Sequence, residues 1–380
     1  MASSQKSPAT AAEPKAEEAT RGTPKPRGLV ARWNALPMLL RHILAACAAM
    51  GAVIVLTSVT GQGENTRIAS VGFYMLAIAG LGILIGFSGQ VSLGHGAFMF
   101  IGAYSTALFV LHVPMMPLWL NLILATAISC LAGLIIGVVC ARLHGPYLAG
   151  ATLALAVALP ALANRFSEFL GGPNGLDFLM RGTPPALSDA IPNTSWQAWV
   201  VWLTVLIVLV FLANLSHGRL GRQMRAVRDD ESAAALSGIR VARVKVTAFV
   251  ISAGCGGLAG ALQAYMLKTA TPSTFTVALS LSLLAVLVLG GLGSLWGALW
   301  GAIAMVYVEE WGDELAHTLD LGTNVANNLP HVLYGVLLIA LVLAWPSGVQ
   351  GFLRQLGNAL RPREHSGYGT PSVPPTHEGK

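Results

Sequence analysis

The segment WQAWVVWLTVLIVLVFLANL (residues 196–215) precedes the charged stretch HGRLGRQMRAVRDDESAAALSGIRVARVKVTAFVISAGCGGLAG (217–260). The first segment is apolar and long enough for an α-helix to cross the hydrocarbon core of a bilayer. The second becomes apolar from Val246 onward and is rich in small residues, as packed membrane helices are. The pattern predicts an all-α membrane domain in which residues 217–245 form an ordered loop held to the membrane at both ends.

The composition of the whole chain indicates a polytopic membrane protein. Of its 380 residues, 54% are hydrophobic and only 11% are charged, with a mean hydropathy of +0.64. Soluble domains carry about a quarter charged residues, so the class of soluble globular proteins is disfavoured. The four cysteines lie in apolar runs without metal-ligand spacing, which predicts buried thiols and no metal site.

The positions of the basic residues predict the orientation. With ten spans and both termini in the cytoplasm, 19 of the 23 Lys and Arg residues lie on the cytoplasmic side, as the positive-inside rule requires. The basic residues fall between apolar runs and are not interleaved with stacking aromatics, so we expect no nucleic-acid binding. The predicted spans are about 39–60, 68–87, the second half of 86–111, 118–139, 147–163, 196–215, 246–267, two within 280–309, and 332–345.

The domain organisation follows from these spans. Residues 1–36 are rich in Ala, Pro, Lys and Glu and are predicted to be a disordered cytoplasmic tail. The transmembrane domain covers 37–350, including the cytoplasmic loop 217–245, and 351–380 is a second cytoplasmic tail. Within 280–309, GGLGS (290–294) interrupts the apolar run, so we predict two helices there. One long helix would instead leave the basic C-terminal tail outside.

The loop 217–245 carries a helical pattern. Arginines recur every three residues at Arg219, Arg222, Arg225 and Arg228, and an alanine-rich run then ends at Gly238. Alanines give a short helix with a nearly bare surface, and glycine permits the tight turn that ends it. Such a helix fits a groove on a partner protein. The alternative is a basic loop that only sets the membrane topology.

Four separated motifs resemble one transporter family. The run GRQMRAVRDDESAAALSGIRVARVKVTAFVISA (221–253) resembles the coupling loop of branched-chain amino acid ABC-importer permeases, in their LivM-type branch. Ser232 stands where the general importer signature has Glu. Three further motifs match in order, and together the resemblance spans about residues 65–350: GFSGQVSLGHGAF (86–98), GGPNGL (171–176) and VLGGLGSLWGALWGA (288–302).

Three sets of candidate site residues follow, the first from the resemblance and the other two from the residue types in the matching motifs. The first set would couple the chain to an ATPase: Arg222, Arg225, Arg228, Asp230, Ala233, Ala234, Gly238 and Ile239. The second would line the translocation path: Gln90, Ser92, Gly94, His95 and Gly96. The third would dock a binding protein: Gly171, Gly172, Pro173, Asn174 and Gly175.

Each of the last two sets has a structural alternative. A helix N-terminus can hold the carboxylate of an amino acid, and Ser92 is the predicted N-cap of the third span. However, His95 between two glycines can equally hydrogen-bond a backbone carbonyl and fix a kink. The consecutive turn residues of GGPNG can equally form a plain turn.

The implied function is transport without covalent chemistry. The chain would be a multi-pass permease of the bacterial inner membrane, working with a second, LivH-type permease subunit, two cytoplasmic ATPase subunits and a periplasmic binding protein. It has no P-loop, so ATP would be bound by the partner subunits, and it carries no hydrolase or redox motif, so no catalytic residue and no cofactor are expected. Alternatives are a permease for urea or another small amide, an ion-coupled carrier, and a membrane enzyme.

Overall fold

A computed structural model describes residues 37–319, except 114, 144, 181 and 185–188, and parts of 329–359. The predicted tail 1–36, residues 360–380 of the predicted tail 351–380, and most of the predicted last span 332–345 lie outside the described residues. Residues 351–359 of that second tail are helical. The described helices are α1 (Met38–Val59), α2 (Gln62–Gly82), α3 (His95–His112), α4 (Leu118–Cys140), α5 (Pro146–Arg165), α6 (Ser167–Leu170), α7 (Asn193–His217), α8 (Arg219–Asp229), α9 (Glu231–Leu236), α10 (Val241–Leu267), α11 (Val277–Gly290), α12 (Leu295–Thr318) and α13 (Gly348–Ala359).

The fold is an all-α bundle with a small extended element. Strands β1 (Leu176–Asp177) and β2 (Thr269–Ala270) pair antiparallel. A π-helical turn, Ile83–Phe87, continues α2, and 3₁₀ turns lie at Gly172–Asn174 and Pro272–Thr274. Among the described residues, eight helical stretches are long and apolar enough to cross a membrane, so this is a polytopic membrane protein. The predicted count of ten spans remains a prediction.

The centre of the bundle is formed by α2 and α10. Helix α2 is almost entirely buried and packs against α7, α10 and α12, whereas α10 also packs against α3 and α4. Small residues allow these close approaches, because a Cβ on Gly102 of α3 would overlap the Gly257 carbonyl of α10. Lipid does not drive helices together as water does, so such close backbone packing is what holds membrane helices to one another.

Two boundaries differ from the sequence prediction. The predicted outer loop 61–67 is helical from Gln62, because Gly61 ends the turn after α1 and Glu64 lies in the first turn of α2, where a negative charge is favourable. The predicted pair of helices within 280–309 is present as α11 and α12, separated by residues 291–294, but α12 continues to Thr318. Its acidic end therefore extends the helix beyond the apolar run.

Two helices do not extend from one end of the bundle to the other. Residue Gln90 lies at the start of α10, where its amide donates to the Lys245 carbonyl, whereas His95 lies beside Gly256 near the middle of α10. The non-helical residues 88–94 thus lead into the bundle, and α3 begins inside it. Helix α11 alone has 14 residues, about 21 Å, and it reaches the length of a crossing only together with the preceding residues from Pro272.

Candidate functional site

The segment 217–245 forms two short helices, α8 and α9, that fold back onto one end of the bundle. Helix α8 buries Gly221, Met224 and Val227, a three-residue spacing that places all of them on one side. The predicted arginine stripe occupies the remaining surface. The segment is therefore an ordered part of the fold.

Two of the stripe's arginines contact the π-helical end of α2. Arg228 Nη1 donates to the Gly86 carbonyl at 2.6 Å, and the Arg225 guanidinium lies 5.5 Å from the centre of the Phe87 ring. Arg225 also donates to the Ser216 carbonyl at 3.1 Å. Arg222 is exposed and donates to the His217 carbonyl of its own segment at 3.2 Å. Arg225 and Arg228 thus attach α8 to the end of α2, whereas Arg222 lies at the surface.

Helix α9 is capped at both ends. Asp230 Oδ1 accepts the backbone N–H groups of Ser232 at 2.8 Å and Ala233 at 3.0 Å, which makes Asp230 the N-cap. At the other end Gly238 has a φ of +80°, and the Ile239 N–H donates to the Ala234 carbonyl at 3.1 Å. This is a Schellman-type ending, and it confirms the predicted turn at Gly238.

A buried lysine joins α9 to α10. Lys245 is 5% exposed, and its Nζ lies 2.5 Å from Oε1 of Glu231, the first residue of α9. The Lys245 carbonyl accepts from Gln90 at 3.1 Å, and Gln90 also donates to Ser88 at 2.6 Å. Sequence reasoning did not single out Lys245. Its position at the polar edge of an apolar run was the available signal.

The two faces of α9 differ sharply in exposure. Ala234 is only 4% exposed and packs into the core of this chain, whereas Leu236 is 91% exposed. Ala233 and Gly238 also lie on the surface. A bulky residue at Ala234 would therefore disturb the packing of α9 on the bundle, and the surface offered to a partner is formed around Leu236.

The five residues predicted to line a path, Gln90, Ser92, Gly94, His95 and Gly96, are buried within the chain. Helix α3 begins at His95 with Gly94 as its N-cap, so the prediction that Ser92 caps it is wrong. Instead, Thr152 Oγ1 accepts the Leu93 N–H at 2.9 Å and Ser280 Oγ accepts the Gly96 N–H at 3.0 Å. Side chains from α5 and α11 thus satisfy the backbone donors at the start of α3, which local sequence does not reveal.

His95 is 1% exposed and lies between α2 and α10. Its ring is close to the Ala77 backbone without reaching hydrogen-bond geometry, and neither ring nitrogen has another partner among the described residues. The edge of the ring faces Phe98, with 6.5 Å between ring centroids. The roles of His95 in fixing a kink and in transport both stay predictions.

The residues predicted to dock a binding protein, 171–175, form an ordered turn at the opposite end of the bundle. Gly171, Gly172 and Gly175 all have positive φ values, which explains the glycine content of the turn. Pro173 and Asn174 are exposed, and the chain continues directly into β1, which pairs with β2 after α10. The strand pair thus holds the turn at the end of α10, with Pro173 and Asn174 exposed to solvent or a partner.

The family model for the branched-chain amino acid transport system / permease component matches residues 65–342. The chain belongs to this permease family. The family is described as a permease component of a transport system, and the all-helical membrane fold is consistent with that description. No solved structure matches the chain.

Two curated relatives carry the same description, high-affinity branched-chain amino acid transport system permease protein LivM. The chain is 32% identical to the protein from Salmonella typhimurium and 31% identical to that from Escherichia coli, each over 258 residues. The match covers 62% of this chain and spans 60% of the length of each relative.

Among the described residues, no three His, Cys, Asp or Glu side chains are grouped as metal ligands would be.

Proposed function

We propose that this chain is one of two permease subunits of an ATP-driven importer for branched-chain or related amino acids in a bacterial inner membrane. The other partners are a LivH-type permease subunit, two cytoplasmic ATPase subunits that bind the ATP, and a periplasmic binding protein. The chain itself catalyses no covalent step. Membership of the permease family and the description of the two relatives support this proposal.

One observation carries the coupling role, namely the exposure of Leu236 on a helix that is otherwise held rigidly. Side chains as apolar as leucine are costly to leave in water, and burying one in a partner contributes about 1.5–3 kcal/mol. The caps at Asp230 and Gly238 hold α9 in shape, and Ala234 holds it against the bundle. Helix α9 therefore presents a preformed apolar tip for a groove on the ATPase.

The contacts of the segment suggest how movement would be transmitted. A displacement of α9 acts on Lys245 through Glu231, and thereby on the start of α10. A displacement of α8 acts on Gly86 through Arg228, and thereby on the end of α2. Since α2 and α10 form the centre of the bundle, motion at the segment reaches the helices that must rearrange in alternating access.

The test compares Leu236→Asp with Leu179→Asp. Leu179 is equally exposed but lies near the opposite end of the bundle, so it controls for a new surface charge. We expect Leu236→Asp to weaken binding of the ATPase subunits to the tagged permease by about 10- to 150-fold, whereas Leu179→Asp should bind them with wild-type affinity. If the Leu236→Asp complex hydrolyses ATP and imports leucine at the wild-type rate, the coupling assignment fails.

A further inference from the structure

A cavity of about 490 Å³ lies between α1, α7, the end of α2 and the start of α12. Along α1 it extends from His42 to Val53, and along α7 from His217 back to Trp202. The stretch of α1 rises about 16 Å, and the hydrocarbon core of one leaflet is about 15 Å thick. The cavity therefore has the length of a single leaflet.

Alanines on α1 leave this space open. Four of them line the cavity, with spacings of three and four residues that place them on one side of the helix: Ala45, Ala46, Ala49 and Ala52. Helix α1 packs mainly against α7, and its other sides carry exposed apolar residues such as Ile54 and Val55. Two of the lining residues, Ala52 and Trp296, are themselves exposed. The cavity thus opens on the apolar surface that faces lipid.

The lining is apolar over most of its length and basic at one end. Leu206 and Leu209 belong to the apolar part, whereas Arg225, His42 and His217 lie where α1 begins and α7 ends. No aspartate or glutamate lines the cavity within the part of the chain that the structure describes. Because the ends of membrane helices lie near the lipid headgroups, the basic end is at the level of their phosphates.

Arg225 is placed to bind an anion. Its guanidinium lies 5.5 Å from the centre of the Phe87 ring, and its Nη1 donates to the Ser216 carbonyl at 3.1 Å. Arg228 of the same helix pairs with Asp229, but Arg225 forms no ion pair among the described residues. A guanidinium has five N–H donors in a planar fork, so donors remain for a phosphate.

Two imidazole rings complete the basic end. The centroids of His42 and His217 are 5.8 Å apart. His42 Nδ1 lies 3.2 Å from Asn214 Oδ1, and His217 Nδ1 lies 2.8 Å from the Ala213 carbonyl. Since each ring is held through Nδ1, Nε2 is the nitrogen that remains for a ligand, and it donates in the protonated ring.

We propose that this cavity binds one anionic phospholipid from the leaflet on the side of α8 and α9. Arg225 holds the phosphate together with the two histidines, and an acyl chain lies along the alanines of α1. Basic pockets between membrane helices bind anionic headgroups in this way, and a zwitterionic headgroup brings an ammonium group that Arg225 repels. The lipid would connect α1 to α8, which Arg225 attaches to the end of α2.

The experiment uses the purified complex in phosphatidylcholine nanodiscs that contain a small fraction of a lipid with a photoreactive diazirine on one acyl chain. We expect crosslinks to concentrate in the peptides 42–53 and 202–210, and to be about 5- to 10-fold more frequent for phosphatidylglycerol than for phosphatidylcholine with the same chains. Arg225→Gln should reduce this preference to nearly none. Arg219→Gln is the control, because Arg219 is exposed on the same helix and does not line the cavity.

A second pair of variants tests the apolar part without changing any charge. Ala49→Phe fills the cavity and should remove the crosslinks of both lipids, whereas Ala48→Phe, on the exposed side of α1, should leave them unchanged. This pair keeps Arg225, so it tests the site even if Arg225→Gln disturbs α8.

Three results would overturn the proposal. Crosslinks spread evenly over all lipid-facing helices would show only bulk lipid, and equal labelling by the two lipids in the unaltered chain would show that the basic end does not select the headgroup. Crosslinks missing from 42–53 and 202–210 would show that a protein segment fills the cavity. Neither amino acid nor ATP is used, so the result is independent of the proposed transport function.

Discussion

Replacing Asp230 by Ala should loosen α9 without unfolding the bundle. Asp230 Oδ1 accepts two backbone N–H groups, those of Ser232 and Ala233, and α9 has only six residues. Loss of an N-cap costs about 0.5–2 kcal/mol, and a helix this short has few other hydrogen bonds to compensate. The rest of the chain makes no use of this side chain in the described contacts.

The destabilisation of α9 can be measured as a faster rate of amide hydrogen exchange. Local opening of α9 exposes its amides, so a loss of about 0.5–2 kcal/mol speeds their hydrogen exchange by about 2- to 30-fold. Exchange measured by mass spectrometry on a peptide covering 231–238 reports this change. Peptides from α2 and α10 should be unaffected, because their packing does not involve Asp230.

Two variants separate the cap from the charge. Asn is as good an N-cap as Asp but carries no charge, so Asp230→Asn should exchange at close to the wild-type rate. Asp229→Ala removes a neighbouring carboxylate that pairs with Arg228 at the surface and should also have little effect. If Asp230→Asn exchanges as fast as Asp230→Ala, the carboxylate acts by its charge and the capping argument is refuted.

Two further changes test the packing around the segment and the interior. Glu231→Gln leaves the buried Lys245 ammonium without its carboxylate, so it should lower the melting temperature in detergent. The double variant Glu231→Gln/Lys245→Met removes the unpaired charge and should recover part of the loss. Equal losses in both variants would show that the pair is unimportant. Gly94→Ala places a Cβ against the Thr152 carbonyl and should lower the free energy of unfolding by about 1–3 kcal/mol. Gly150→Ala is the control, because its Cβ meets open space and should be neutral or slightly stabilising. Similar melting temperatures for the two variants would contradict the close approach at Gly94.

Local sequence was sufficient to predict most of the membrane helices and the helix and turn within residues 217–245. Runs of about 20 apolar residues specify membrane helices by themselves, because the backbone must satisfy its own hydrogen bonds in lipid. The glycine-rich interruption at 290–294 correctly predicted two helices, α11 and α12. The turn at Gly238 was also predictable, because glycine lacks a Cβ and adopts a positive φ without steric cost. The amino-acid sequence thus determined the class, the permease family and the order of most elements.

Only the tertiary structure decided which side chains face inward. Alanine-rich α9 has no periodic pattern to show that Ala234 packs inside and Leu236 points out. The depth of His95 depends on the non-helical residues 88–94 and on donors satisfied by Thr152 and Ser280. One cavity is lined by residues as distant in sequence as Arg67, Gln263 and Glu309. Such contacts arise from packing between helices, and hydropathy or spacing along one helix carries no information about its neighbours.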